Sequence, residues 1–125
     1  GQFLNTTDRD AYWRTMEWLM WQMGGFGPIL GQVHHFTKYN PGISEYAQTR
    51  YETEARRLYT VLNTRLEGRE FIVDDYSIAD IALYAYTHVA DEAEMDLGPY
   101  PGIRRWLDRV AEQPGHVLIT QDDFT

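Results

Sequence analysis

Apolar residues recur at intervals of three and four through most of the chain, and Gly, Pro and Asn cluster between the periodic runs, which is the pattern of helices joined by short turns. The first run follows Thr7-Asp8-Arg9-Asp10, a Thr-x-x-Asp cap set just before Ala11. Trp13, Met16, Met20 and Met23 form one stripe, and Tyr12, Leu19 and Phe26 a neighbouring one. A helix apolar over so wide an arc packs on two surfaces. Gly24-Gly25-Phe26-Gly27-Pro28 lowers helix propensity, and Pro28 removes a ladder donor, so a kink or break is predicted there, with helix resuming over Ile29 to Phe36.

Asn40-Pro41-Gly42 is turn punctuation, and Ser44 is placed to cap the clearest helical run in the chain. Ala47, Tyr51, Ala55, Leu58, Leu62 and Leu66 keep helical spacing until Gly68, a length of roughly 34 Å at about 1.5 Å per residue. Phe71-Ile72-Val73 has strand propensity but no partner strand, and reads as an extended lead-in to a helix start. Tyr76-Ser77-Ile78-Ala79-Asp80-Ile81 carries two helix-start devices at once. Ser77 and Asp80 form a capping box, with the hydroxyl accepting from the Asp80 amide and the carboxylate reaching back to the Ser77 amide, and Tyr76 against Ile81 supplies a hydrophobic staple. From Ile78 to Val89 the residues are apolar nearly all round, which predicts a core helix surrounded by others. Pro101 suits the first turn of a last helix with Ile103, Trp106, Leu107 and Val110 inward, stopped by Gln113-Pro114-Gly115. One short turn is expected within Val117 to Thr125. The fold class is therefore all-α, a bundle of about five helices in one domain.

Composition narrows the chemistry. Nineteen acidic residues against eleven basic ones give a formal charge of −8, which disfavours a nucleic-acid partner. With no cysteine, any thiol chemistry uses a sulfur brought from outside. No run is long and apolar enough to span a membrane, and a cytoplasmic location is expected. Gly24-Gly25-Phe26-Gly27 lacks the preceding strand and the Gly-Lys-Ser/Thr of a phosphate loop, so its glycines are read as places of close approach. Adjacent His34 and His35 point about 100° apart on a helix and do not grip one metal. Neither a metal site nor a catalytic residue is expected in this chain. Arg50 has two readings: an ion pair with Glu54 four residues on, or a cleft-facing guanidinium that holds a carboxylate.

The stretch Tyr76 to Ile81, the long helix before it and Tyr100-Pro101-Gly102-Ile103-Arg104-Arg105-Trp106 resemble the C-terminal domain of cytosolic glutathione transferases. Trp18-Leu19-Met20-Trp21-Gln22-Met23-Gly24-Gly25-Phe26-Gly27-Pro28-Ile29-Leu30-Gly31-Gln32 with His34-His35-Phe36 is similar to the first long helix of the bacterial nu class. The resemblance implies glutathione as co-substrate, for conjugation or for disulfide reduction. It implies a thioredoxin-like N-terminal domain as partner and a homodimer. By the same resemblance Arg50 falls where nu-class members carry an arginine that holds glutathione or its disulfide, and Trp21, Gln22, Gly25 and Phe26 are further positions for the pocket wall or the domain contact. Residues 1–6 resemble the end of an interdomain linker, with the helical domain over residues 7–125. On that reading the thioredoxin-like domain is absent from this chain, which alone is expected to be inactive and to self-associate through its exposed apolar face. The alternative is a non-catalytic transferase-like module that serves assembly.

Overall fold

The computed structural model describes residues 2–117, so most of the turn expected within Val117 to Thr125 lies outside the described residues. Among the described residues there are five α-helices: α1 (Arg9–Trp21), α2 (Gly27–His34), α3 (Glu45–Leu66), α4 (Ile78–Thr87) and α5 (Pro101–Ala111). No strand occurs among the described residues, and Phe71 to Val73 lie in a run of bends that leads into α4. Helix α2 packs on α3, α3 on α5, and α4 on both α1 and α5. The shared core holds Phe26, Leu30, Tyr59, Leu62, Leu83, Ile103 and Trp106.

The Gly24 to Pro28 segment does not break the first helix. Gln22–Phe26 forms a π-helical turn with αR geometry on both sides, and the Gly27 amide donates to the Gln22 carbonyl. Widening the ladder to i→i+5 lets the rod pass the proline's missing donor without a break. A second π turn, His35–Tyr39, ends the rod where the Asn40 amide donates to the His35 carbonyl. Expectation also fails at the start of α1. The cap is Asp8, whose carboxylate accepts from the amides of Asp10 and Ala11, because the Thr7 amide is already held by the Asn5 side chain at 3.0 Å. The face of α1 that turns inward is the one bearing Ala11 and Thr15, while Trp13, Met20 and Met23 are 56%, 58% and 62% exposed.

Helix α4 starts as a capping box: the reciprocal Ser77–Asp80 pair is complete, and Ser77 Oγ also accepts from the Ala79 amide at 3.2 Å. The Ile78 amide donates to the Phe3 carbonyl at 2.9 Å, so each of the four open amides at this helix start, those of Ser77, Ile78, Ala79 and Asp80, has an acceptor. The Tyr76 ring lies against Phe3 (5.6 Å) and Phe71 (5.4 Å), and it shares a shallow depression with Ile81. Contrary to the surrounded helix expected, α4 keeps one side open, with Ile81 and Ala85 exposed.

Asp80 does more than cap. Fully buried, its Oδ2 accepts from the Ser77 amide at 3.0 Å, and its Oδ1 accepts from the Ile72 amide at 3.0 Å and from Trp106 Nε1 at 2.8 Å. Burial pushes the carboxyl above the ordinary Asp value, and the donors pull it back only in part. At α5, Asn63 of α3 supplies the missing cap, its Oδ1 accepting from the amides of Gly102 (2.8 Å) and Ile103 (3.2 Å). A Cβ on Gly102 would stand 2.9 Å from that oxygen, which is why glycine follows Pro101.

Asp80→Ala strands buried donors from three segments and is expected to cost roughly 3–5 kcal/mol in urea unfolding. The pH dependence has a definite sign. A folded value raised above the ordinary 3.8 means that the wild-type margin over D80A is fullest below 3.8 and declines as pH rises through the folded value. A margin that grows with rising pH in parallel titrations of both proteins would contradict this.

Candidate functional site

Glu54 decides what Arg50 does. Two cations flank it on α3, Arg50 four residues before and Arg57 three residues after, and a helix favours the acid on the N-terminal side of its partner. The carboxylate takes Arg57 in a two-point bond, Nε to Oε2 at 2.8 Å and Nη2 to Oε1 at 2.6 Å. Hydrogen bonding from Arg57 holds the Glu54 carboxyl below its ordinary value. The Arg50–Glu54 ion pair does not form. Arg50 is exposed and has no hydrogen bond or ion pair among the described residues.

Around Arg50 lies an open depression of about 740 Å³, bordered by Tyr46, Thr49, Thr53, Glu54, Ile29 and Tyr51. Tyr51 is held in place by stacking on Phe36, ring centroids 5.8 Å apart. A guanidinium with free donors beside two tyrosine rings and a threonine suits a carboxylate attached to a partly apolar body. The chain has no cysteine, and among the described residues no three His, Asp or Glu side chains stand close enough to hold a metal.

The other sequence candidates do not join Arg50. Phe26 is fully buried, packed between Trp21 (5.2 Å) and Tyr59 (5.9 Å), so it belongs to the core and not to a pocket wall. Trp21 is half-buried and also meets Trp18 at 5.1 Å. Gln22 is 7% exposed and turns inward over Gly27. A Cβ on Gly25 would meet nothing within 4 Å, whereas one on Gly27 would stand 2.7 Å from Gln22 Nε2 and 3.2 Å from the Gln22 carbonyl. Of the three glycines read as places of close approach, Gly27 is one, and Gly24 and Gly25 have open space instead. Helical spacing already sets Tyr46 beside Arg50, but it missed Thr49 as a neighbour in the depression, although positions 46, 49, 50 and 53 share one helix face.

Comparison with known proteins agrees with this architecture. The family model for the glutathione S-transferase C-terminal domain matches residues 26–114. The chain belongs to that family. It is 42% identical over 122 residues to the disulfide-bond oxidoreductase YfcG of Escherichia coli (strain K12), covering 95% of this chain and 56% of YfcG. A glutathione S-transferase structure from Pseudomonas fluorescens superimposes with a TM-score of 0.90 at 31% identity, over 97% of this chain and 61% of that one. A Pseudomonas putida glutathione transferase with one glutathione disulfide bound per subunit gives 0.81 at 33% identity, over 91% of this chain and 52% of that one. The chain thus spans little more than half of YfcG.

Gly27→Ala forces a methyl onto the Gln22 carbonyl inside a helix junction that has no slack, and a loss of about 1–3 kcal/mol is expected. Gly25→Ala has open space and is expected to be neutral or slightly stabilising, by up to about 1 kcal/mol. Thermal unfolding of the two variants side by side checks the contrast, and equal melting temperatures would refute it.

Proposed function

We propose that this chain is the helical domain of a glutathione-dependent enzyme, in which Arg50 holds a carboxylate of glutathione or of its disulfide. The observation that carries this reading is the free guanidinium: Glu54, the acid within its reach along the helix, is committed to Arg57. Support from kinship comes from YfcG, a disulfide-bond oxidoreductase, and from the glutathione disulfide bound in the Pseudomonas putida structure. In this reading the attacking sulfur is that of glutathione, and this chain, which has no cysteine, does not supply it. In disulfide reduction one glutathione thiolate displaces a thiolate from the substrate disulfide. A second glutathione thiolate then releases the other half and forms glutathione disulfide. The chain's own part is to position: a two-point bond from Arg50 fixes the carboxylate end and leaves the sulfur free to align.

Residues 1–6 fit the end of a linker. Phe3 passes its carbonyl to the Ile78 amide and its ring to Tyr76, which ties the entering chain to the start of α4. A thioredoxin-like domain on that side supplies the thiolate-activating groups in this reading. The exposed Trp13, Met20 and Met23, spaced seven and three apart on one face of the rod, form the surface offered to a second subunit.

In the parent enzyme, R50A is expected to lower kcat/KM for glutathione-dependent reduction of a small disulfide roughly tenfold, a loss of about 1.4 kcal/mol. R50K should recover part of the loss, since it keeps the charge without the fork. Unfolding free energy should stay within about 0.5 kcal/mol of wild type for this exposed residue. An unchanged kcat/KM in R50A would remove Arg50 from glutathione binding.

A further inference from the structure

On the side of α2 away from Arg50 lies a second, smaller crevice. Ile29 borders the Arg50 depression, whereas Gly31 and His34 border this one, and residues two apart on a helix face nearly opposite ways. The crevice runs between α2, α4 and the 3-10 turn Ala90–Ala93, with a volume of about 330 Å³. Its walls are largely carbon, from Ala85, Val89 and the ring of Tyr86.

Two residues that line it, His34 and Tyr86, each carry a polar atom without a protein partner among the described residues. His34 is 6% exposed, and its Nδ1 lies 2.9 Å from the Leu30 carbonyl oxygen. That oxygen only accepts, so Nδ1 carries the ring hydrogen and Nε2 of the neutral ring presents a lone pair. The Tyr86 ring meets the imidazole edge-on at 6.0 Å, and its hydroxyl reaches the backbone of α2 over Gly31, 3.3 Å from where a Cβ would stand. A Cβ at position 31 would require the phenol to give way by a few tenths of an ångström. One rim is fastened by Lys38 to Glu92, Nζ to Oε2 at 2.7 Å, which ties the second π turn to the 3-10 turn. The Lys38 ammonium also sits 5.7 Å from the Tyr39 ring, so the charge at the mouth is already matched.

We propose that this crevice is a binding site for a flat, uncharged aromatic group that carries a hydroxyl or amino donor, with the donor meeting Nε2 of His34. Carbon walls, matched rim charges and an accessible acceptor on a largely buried ring together select such a ligand over an anion or an aliphatic chain. The site is independent of the carboxylate reading at Arg50, because it uses the other face of α2.

The probe is 1-naphthol, with naphthalene as the control that lacks the donor, titrated into the chain without glutathione and followed by fluorescence. Naphthol is expected to bind roughly fivefold to tenfold more tightly than naphthalene, the range one net hydrogen bond supplies. Ala85→Trp, at an exposed position on the wall, should weaken both by about tenfold or more through steric occlusion. His34→Phe keeps a ring and should bring the two affinities together. A readout on the unaltered chain makes the result independent of that variant's folding: the imidazole nitrogen resonance of His34 Nε2 should move with naphthol and stay still with naphthalene. Equal affinities in the wild type, binding untouched by A85W, or an unmoved His34 resonance would each overturn the proposal. None of these results bears on Arg50, whose test is catalytic.

Discussion

The Asp80 carboxylate is the tie on which the arrangement of this domain depends. It collects the amide of the lead-in at Ile72, the cap at Ser77 and the indole of Trp106, and so joins three segments at one point. Trp106 is fully buried in the core, so its N–H needs an acceptor there, and only one orientation of α5 against α4 delivers it. Burial raises the Asp80 value, which means that the charged group gains little net free energy from its location. Its contribution is exclusion of alternatives: any other packing of these segments would leave a buried carboxylate or a buried donor unpaired.

From that fixed point the rest is positioned by neighbours. Leu83 and Thr87, on the inward face of α4 with Asp80, are both buried, and the Thr87 hydroxyl returns to the Leu83 carbonyl at 2.6 Å, so a polar residue enters the core without a foreign partner. Helix α4 meets both α1 and α2. Because the π turn keeps the rod continuous, α2 inherits its direction from α1 and presents one side to α3 and the other to α4. The two surface sites result from that single geometric fact.

Sequence pattern reveals those features whose cause is local. The capping box, the Ser44 cap with its 3.1 Å bond to Ala47, the left-handed Gly68 (φ 68°) after α3 and the Pro101 start of α5 are all set by residues within a few positions of one another. Features with a distant cause are hidden. Asn63 caps α5 from 39 residues away, and nothing around position 63 marks it as a cap. The same limit explains the Trp13, Met20 and Met23 stripe. Periodicity shows that the residues share a face, but whether that face meets this domain or something else depends on what the other helices cover. Gly25 against Gly27 is a third instance, since both lie in one glycine-rich run and the Gln22 side chain and carbonyl crowd only the second.

Arg50 shows how a candidate ligand-binding residue is distinguished from a structural one by competition between equals. From spacing alone Arg50 and Arg57 have similar claims on Glu54. The helix dipole and the rotamer that tilts side chains toward the N-terminus both favour an acid that precedes its base, and the two-point geometry to Arg57 realises that preference. Position 57 therefore determines the availability of position 50. A neutral residue at 57 would return Glu54 to Arg50 and close the free guanidinium, although Arg57 itself does not border the depression. Availability of the charge is in that sense a property of the charge order along α3, and it needs no strain or burial at Arg50 to maintain it.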